Sequence, residues 1–403
     1  MRCCAPMRLT RPVSLLVSLC LAAACAAPTP RATPPANSTA YAVATQGPAA
    51  VAWPEAGARF RSQGESWLGA DSAYSVDLGG GRVLWLFGDT FVDPARDGSR
   101  TDGPNFFLHN SLALQTPTED TSQYDLTRSQ LAFFYGPPRA QVPTAYFPET
   151  PQADWFWPLH GTRMPDGSLL LFRMRVSKVE GGFGFNVVAW DAIAIDQPES
   201  EPGAWRPRVL TPDTGATEIL LGSSVLIDGD HLYAYAARNR DDDHTISLAR
   251  FTLAELSGLR EGALADPEWY TASGYRRQSA GGRAEPLIAG GQIEFSVHYE
   301  ARLRCFVQIQ MSGLFVSDPN TAIVMRTAPR PEGPWSAPQR LWKPPAPPGT
   351  DASKLLAYAA KAHPEQRGGD LVVTYVENDV AHPTPLDSVY YPEVLRITFP
   401  RGN

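Results

Sequence analysis

Once its first 25 residues are set aside, this chain has almost no cysteine. Cys3, Cys4, Cys20 and Cys25 crowd the N-terminus and only Cys305 stands in the body, which excludes a disulfide framework and any cysteine-built metal site. Cys305 lies in LRCFVQIQ, an apolar strand-like run that suits a buried, inert thiol rather than a nucleophile. Basic excess is missing too. With 35 Lys and Arg against 42 Asp and Glu, the formal charge is -7, and nothing argues for a nucleic-acid partner. The chain contains no phosphate-binding Gly-rich loop, no H-E-x-x-H pair and no G-x-S-x-G elbow, so nucleotide, zinc-protease and serine-hydrolase readings have no footing. Apolar stretches of helical period are also scarce beyond the leader. What is abundant is Gly (33) and Pro (38), and with apolar runs of strand length between turn signals this favours an all-β chain.

Three regions follow from composition. Residues 1–24 read as a targeting segment, with Arg2, Arg8 and Arg11 before an apolar core from Val13 to Ala24 that is short for a membrane span. It ends in LAAAC, which resembles a bacterial lipoprotein signal in which Cys25 becomes lipidated; a plain secretory signal cut nearby is the alternative. The expected location is the cell envelope through a lipid anchor, or otherwise secretion. Residues 25–54, rich in Pro, Ala and Thr, read as a disordered tether. Residues 55–400 form the folded domain.

Within that domain a pair of apolar strands joined by a turn recurs at a period of roughly 60 to 85 residues. The copies are YSVDLGGGRVLWLFGDT from Tyr74, HGTRMPDGSLLLFRMRV from His160, SSVLIDGDHLYAYAAR from Ser223, FSVHYEARLRCFVQIQ from Phe295 and KAHPEQRGGDLVVTYVEN from Lys361. Gly80-Gly81, Asp166-Gly167, Asp228-Gly229 and Gly368-Gly369 supply turn chemistry, while the fourth copy turns at Glu300-Ala301 without it. A third strand follows each pair, beginning near His109, Phe185, His244, Thr321 and Tyr391. Five such units cannot bury their faces alone but can when packed radially. The expected fold is therefore an all-β five-bladed β-propeller with a long insertion over 91–150; a sandwich gives no reason for five similar copies.

The first hairpin carries a carboxylate at each end. Asp71 and Asp89 are equidistant from Gly80, so an antiparallel pairing returns them opposite each other. Two carboxylates so placed repel and titrate apart. Acid/base cleavage of a glycosidic bond needs that asymmetry, one carboxyl protonated for the leaving group and the other ionised to activate water or attack. Asp residues in GAD and GDT also cap turns, and that structural role is the competing explanation for each. Glu294, in GGQIEFSVHY, is the alternative acid. The corresponding positions of the other copies supply the rest of a funnel: Trp155, Trp157 and His160, then Glu218 and Ser223, then Gln292 and His298, then Tyr358, Lys361 and His363. Arg173, Arg238 and Glu377 come from second-strand ends. Trp157 suits stacking on a sugar ring or packing between blades. His160, Arg238, His298, Tyr358, Lys361 and His363 are candidate substrate contacts, with a satisfied core histidine the simpler explanation for His160 or His363 alone.

The stretch GADSAYSVDLGGGRVLWLFGDTFV, together with FSVHYEARLRCFVQIQ and YAAKAHPEQRGGDLVVTYVEN, resembles a once-uncharacterised family of secreted propellers that includes bacterial endo-D-arabinanases, and more broadly the five-bladed glycosidase propellers. The resemblance implies a glycoside hydrolase acting on arabinan-type furanosides, with the family's two essential aspartates falling on Asp71 and Asp89. A polysaccharide or oligosaccharide partner is expected, with no required cofactor and no metal ligand; a central ion such as calcium is compatible with a channel but has no support in the sequence. The membrane enters only through the lipid anchor. A sugar-binding propeller without turnover is the alternative function, and a protein-binding lipoprotein scaffold a third.

Overall fold

The computed structural model describes residues 47–61, 67–93, 100, 106–118, 124–139, 142–181, 184–210, 218–240, 244–256, 264–366, 369–382 and 387–400. The expected leader, Cys25 and most of the expected tether lie outside the described residues, as do Gly368 and parts of the 91–150 insertion.

The described chain is all-β apart from two short α-helices, Pro54–Arg61 and Leu253–Leu256, and two single 3-10 turns. Strands dominate because β-branched and aromatic residues are packed into short runs between Gly-rich turns. Five antiparallel sheets of four or five strands follow one another along the sequence. The first comprises Tyr74–Gly79, Arg82–Phe87, Ser111–Pro117 and Ser129–Phe134; the second Trp155–Arg163, Leu169–Lys178, Phe185–Ile195 and Arg208–Val209. The third runs through Ile219–Asp228, His231–Arg238 and Ile246–Thr252 to an outer hairpin, Glu268–Thr271 with Gly274–Arg277. The fourth contains Phe295–Glu300, Cys305–Ser312, Ala322–Ala328 and Gln339–Trp342. The fifth contains Leu355–His363, Leu371–Asp379 and Pro392–Thr398, and its outermost strand is Ala49–Ala52 from the other end of the chain, with Ala49 opposite Thr398. The folded region therefore begins before residue 55: backbone pairing with the last strand orders a segment whose composition alone reads as tether.

The leading strands of the sheets lie side by side in order, first against second through to fifth, and the fifth again against the first. Between each neighbouring pair sits an apolar layer. Alternate side chains of one strand serve two layers, since successive residues point to opposite faces. Leu84 and Leu86 pack with Leu169, Leu171 and Ile193 of the second sheet, whereas Val83, Trp85 and Phe87 pack with Val372 and Val394 of the fifth. Coverage on both faces explains why RVLWLF reads as a continuous apolar run. The helix Pro54–Arg61 begins with Pro at its first turn, a position that tolerates the missing N–H, and inserts Phe60 edge-on against Trp85 at 5.2 Å.

Cys305 opens the second strand of the fourth sheet and is half-buried rather than fully enclosed. Burial and the nearby Glu300 charge push its thiol pKa up, away from nucleophilic chemistry.

Candidate active site

Pairing in the first hairpin runs Tyr74 with Leu86 and Ser75 with Trp85, around glycines 79, 80 and 81, all at positive φ. Beyond the strand ends the same register continues. Asp71 N–H donates to the Asp89 carbonyl at 3.2 Å, and Gly88 N–H donates back to the Asp71 carbonyl at 3.2 Å. The two aspartates thus stand opposite each other at the hairpin base. A short accessory sheet, Trp67–Ala70 with Thr90–Val92 and Phe106–Leu108, continues from both. The turn at Asp71 is strained: Ser72 and Ala73, neither a glycine, hold φ of 65° and 54°, a conformation that persists only where the surroundings impose it. Gly88 admits the approach, because a Cβ there would lie 2.4 Å from Asp71 Oδ1.

The two carboxylates have different partners. Asp71 Oδ2 accepts hydrogen bonds from the hydroxyls of Tyr358 (3.0 Å) and Tyr390 (3.1 Å). Asp89 Oδ1 accepts one from the Trp157 indole at 2.7 Å and pairs with His109 Nδ1 at 3.1 Å. Burial raises the Asp71 pKa well above the ordinary carboxylate range; the charges of Asp89 and Glu294 push the same way, against the two tyrosine hydrogen bonds. Burial also raises Asp89, but His109 and Trp157 act against it. The asymmetry assigns the more tightly held proton to Asp71. The Asp89 side chain is 18% exposed and Asp71 is half-buried.

Glu294 is part of the same cluster, since its charge acts on Asp71 and its Oε1 accepts from Lys361 Nζ at 2.8 Å. The Lys361 ammonium is buried and lies 4.2 Å from the centre of the Tyr74 ring. Lys361 therefore positions Glu294 and does not reach outward to a ligand. Tyr358 likewise orients Asp71, and Trp157, sited for stacking by the sequence, spends its N–H on Asp89 while its ring meets Phe185 edge-on at 4.9 Å.

The histidines expected to contact substrate sit deeper. His160 Nε2 faces the Ser75 carbonyl at 3.2 Å, and its Nδ1 accepts the Val225 N–H at 3.0 Å. Burial lowers its pKa to about 4. His363 is engaged on both sides, by the Ser75 hydroxyl at 2.6 Å and the Thr374 hydroxyl at 2.7 Å. With both nitrogens committed inside the protein, neither ring is free to bind a substrate. Tyr74, Ser75, His160, Ser296, Lys361 and His363 line a cavity of about 10 Å³, water-sized at most. His298 is buried in the fourth sheet, 3.8 Å from Glu300, and also faces inward.

Other expected contacts fall elsewhere. Arg173 forms a buried bidentate pair with Asp191, Nε to Oδ1 at 2.8 Å, beneath Phe156, so it does not modulate the hairpin carboxylates. Arg238 closes its strand opposite Ile219, and the charges shaping Asp71 and Asp89 come from other groups. Glu218 is exposed and faces Arg240 at 4.0 Å. Glu377 is buried beside Tyr375, which donates to it at 3.3 Å. Ser223 is fully buried.

Two residues that contact the aspartates were not singled out from the sequence, His109 and Tyr390. His109 appeared only as the start of a strand; its link to Asp89 crosses 20 residues through the insertion. Tyr390 lies 319 residues from the carboxylate it serves. Its φ of 65° marks an imposed conformation that sequence does not display. Among the described residues, no group of three or more His, Cys, Asp or Glu is placed to hold a metal ion.

The fold and site define an all-β protein of five successive antiparallel sheets whose first hairpin presents a partly open carboxylate cluster. The chain belongs to the family described as Domain of unknown function (DUF5005), whose model matches residues 58–394. Comparison with curated proteins finds no match. Among solved structures, the chain is similar to a protein of Bacteroides ovatus described as a candidate hydrolase, at 18% identity and a TM-score of 0.64, covering 86% of this chain and 90% of that one. It also aligns with the catalytic domain of a GH62 α-L-arabinofuranosidase from Coprinopsis cinerea, at 12% identity and a TM-score of 0.45, over 82% and 91% of the two chains. At these identities the likeness concerns the fold.

Proposed function

We propose that this protein is a glycoside hydrolase of the five-bladed β-propeller type, in which the five sheets are the blades and the cluster at one mouth of the channel is the active site. The observation that carries the reading is the pair Asp71 and Asp89, opposed at one hairpin base and supplied with unlike partners. Asp71, in the company of two other carboxylates, holds its proton above the ordinary carboxylate range and donates it to the glycosidic oxygen as the bond to the anomeric carbon breaks. Asp89, held by His109 and Trp157, is the ionised partner. It takes a proton from the attacking water in an inverting course, or bonds to the anomeric carbon in a retaining one. Glu294 is the alternative acid; its engagement by Lys361 favours an electrostatic role instead. No cofactor takes part in this chemistry.

The substrate class we favour is an arabinan-type furanoside polysaccharide, supported by the likeness of the first-hairpin signature to the endo-D-arabinanase family. Export is part of the proposal, with Cys25 as the lipidated residue of an envelope lipoprotein.

The test is hydrolysis of a polysaccharide panel, with D-arabinan and arabinogalactan included, by the mature domain and by Asp71→Asn and Asp89→Asn. The expected outcome is release of oligosaccharides by the parent and a loss of about 10³-fold or more in each variant at unchanged folding. Binding without cleavage by the parent would replace the hydrolase with a sugar-binding protein.

A further inference from the structure

A second concavity adjoins the carboxylate cluster. It measures about 590 Å³, within the range of roughly 300 to 1,000 Å³ usual for ligand clefts. Its walls come from the 91–150 insertion and the residues just after it: the strand Phe106–Leu108, the hairpin of Gly136–Arg139 with Val142–Thr144, and the segment from Pro148 to Ala153. His109 belongs to both places. It lines this cleft, and it is the residue that pairs with Asp89 at 3.1 Å while stacking on Trp155 at 4.2 Å.

The lining has the chemistry of a sugar subsite. Phe107 is 47% exposed and fixed edge-on to the His109 ring at 5.4 Å, which offers a ring face at the rim. The Arg139 and Glu149 side chains are exposed and make no hydrogen bond or ion pair with any other described residue. Thr144 and Thr150 add hydroxyls at the cleft wall. An aromatic platform with uncommitted donors and acceptors of both signs suits a neutral polyhydroxylated ligand, whose C–H faces stack while its hydroxyls pair. An extended apolar partner would leave those charges buried and unpaired.

We infer that this cleft is an extended subsite that holds further sugar residues of the chain being cut, continuing from the bond beside Asp89 past His109 to Phe107 and Arg139. The inference rests on the hydrolase reading for the identity of the polymer, but not for the binding itself. It makes the enzyme one that gains from a long chain, because each added residue seated in the cleft contributes contacts that a disaccharide lacks.

The test uses ladders of arabinofuranosyl and xylosyl oligosaccharides of two to eight residues, titrated calorimetrically into the Asp71→Asn protein and into the same protein carrying Phe107→Ala or Arg139→Ala. Affinity for one ladder is expected to rise about tenfold or more between the short and long members, equivalent to about 1.4 kcal/mol, and the rise should shrink to less than about threefold with either cleft substitution. In the cleaving enzyme, the same substitutions should reduce kcat/KM several-fold more on polymer than on a disaccharide. Melting temperatures within a few degrees of the parent exclude misfolding as the cause. A length gain that survives both cleft substitutions overturns the inference while leaving the hydrolase reading intact. A cleft-dependent length gain in a protein that cleaves nothing does the reverse. Failure of both ladders to bind overturns the inference as well.

Discussion

At the scale of single residues, the proposed site rests on the difference between two chemically identical carboxylic acids. Each is tuned by hydrogen-bond donors that favour its ionised form, so removing a donor should raise the pKa of the acid it serves. Trp157→Phe removes the indole N–H from Asp89, which then keeps its proton to higher pH. If Asp89 acts ionised, as proposed, the acidic limb of the kcat/KM profile should move up by about one pH unit, the order expected for one hydrogen bond to a charged group. Tyr390→Phe does the same to Asp71, the proposed proton donor, so there the alkaline limb should move up. A pH profile measured for each variant separates the roles. If the two substitutions moved the same limb, the assignment of proton donor and ionised partner would be wrong.

The hairpin base is the relevant unit at the scale of elements. Asp71 sits on a turn with two consecutive non-glycine residues at positive φ, and it is matched across the turn by Gly88. Alanine at 88 would place a carbon 2.4 Å from Asp71 Oδ1, so the carboxylate must move. Gly88 itself has an ordinary φ, and the hairpin register depends on the strands rather than on this residue. Gly88→Ala should therefore fold with a melting temperature close to that of the parent while losing about 100-fold in kcat, the scale of loss expected for a misplaced reacting group. Full activity in this variant would show that the close approach of the two strands is not needed for the reaction.

For the whole molecule, the consequence of packing strands on both faces is a set of carboxyl groups enclosed without full compensation. Burial raises the pKa of Glu377 to about 8, with Glu393 adding to the rise and Tyr375 and Arg61 opposing it, and that of Glu365 to about 7. In the unfolded chain both groups have values near 4.5. The folded state then holds protons that the unfolded state has released, and the stability contributed falls as pH rises from about 4.5 through the folded values. Glu377→Gln takes its share of that loss away. Thermal unfolding should show the variant more stable than the parent above pH 8, by on the order of a few kcal/mol, with the difference vanishing near pH 4. A difference independent of pH would mean that Glu377 is not held protonated in the folded protein.

Much of this was legible from the sequence. The spacing of apolar runs and Gly-containing turns was enough for the hairpins, their third strands and the all-β class, because strand alternation and turn conformation are local properties of adjacent residues. The opposition of Asp71 and Asp89 was also local, since counting from Gly80 in an antiparallel pair determines it. The partners of those aspartates were not local. Tyr390 reaches Asp71 only because the last sheet lies against the first, and His109 reaches Asp89 only because the insertion turns back on the hairpin. Position in a repeat placed His160, His363 and Lys361 on the leading strands of their sheets but not whether they face a ligand or the protein interior. That depends on side-chain partners from other sheets, such as Ser75, Thr374 and Glu294. Ala49–Ala52 is the same lesson in the backbone: a Pro- and Ala-rich sequence has no strand signal of its own, and it becomes a strand because the edge of the last sheet offers it hydrogen bonds. Sequence alone determined which residues are paired along the chain, and the tertiary structure decided which are paired across it, because those contacts are set by the packing of sheets that lie far apart in sequence.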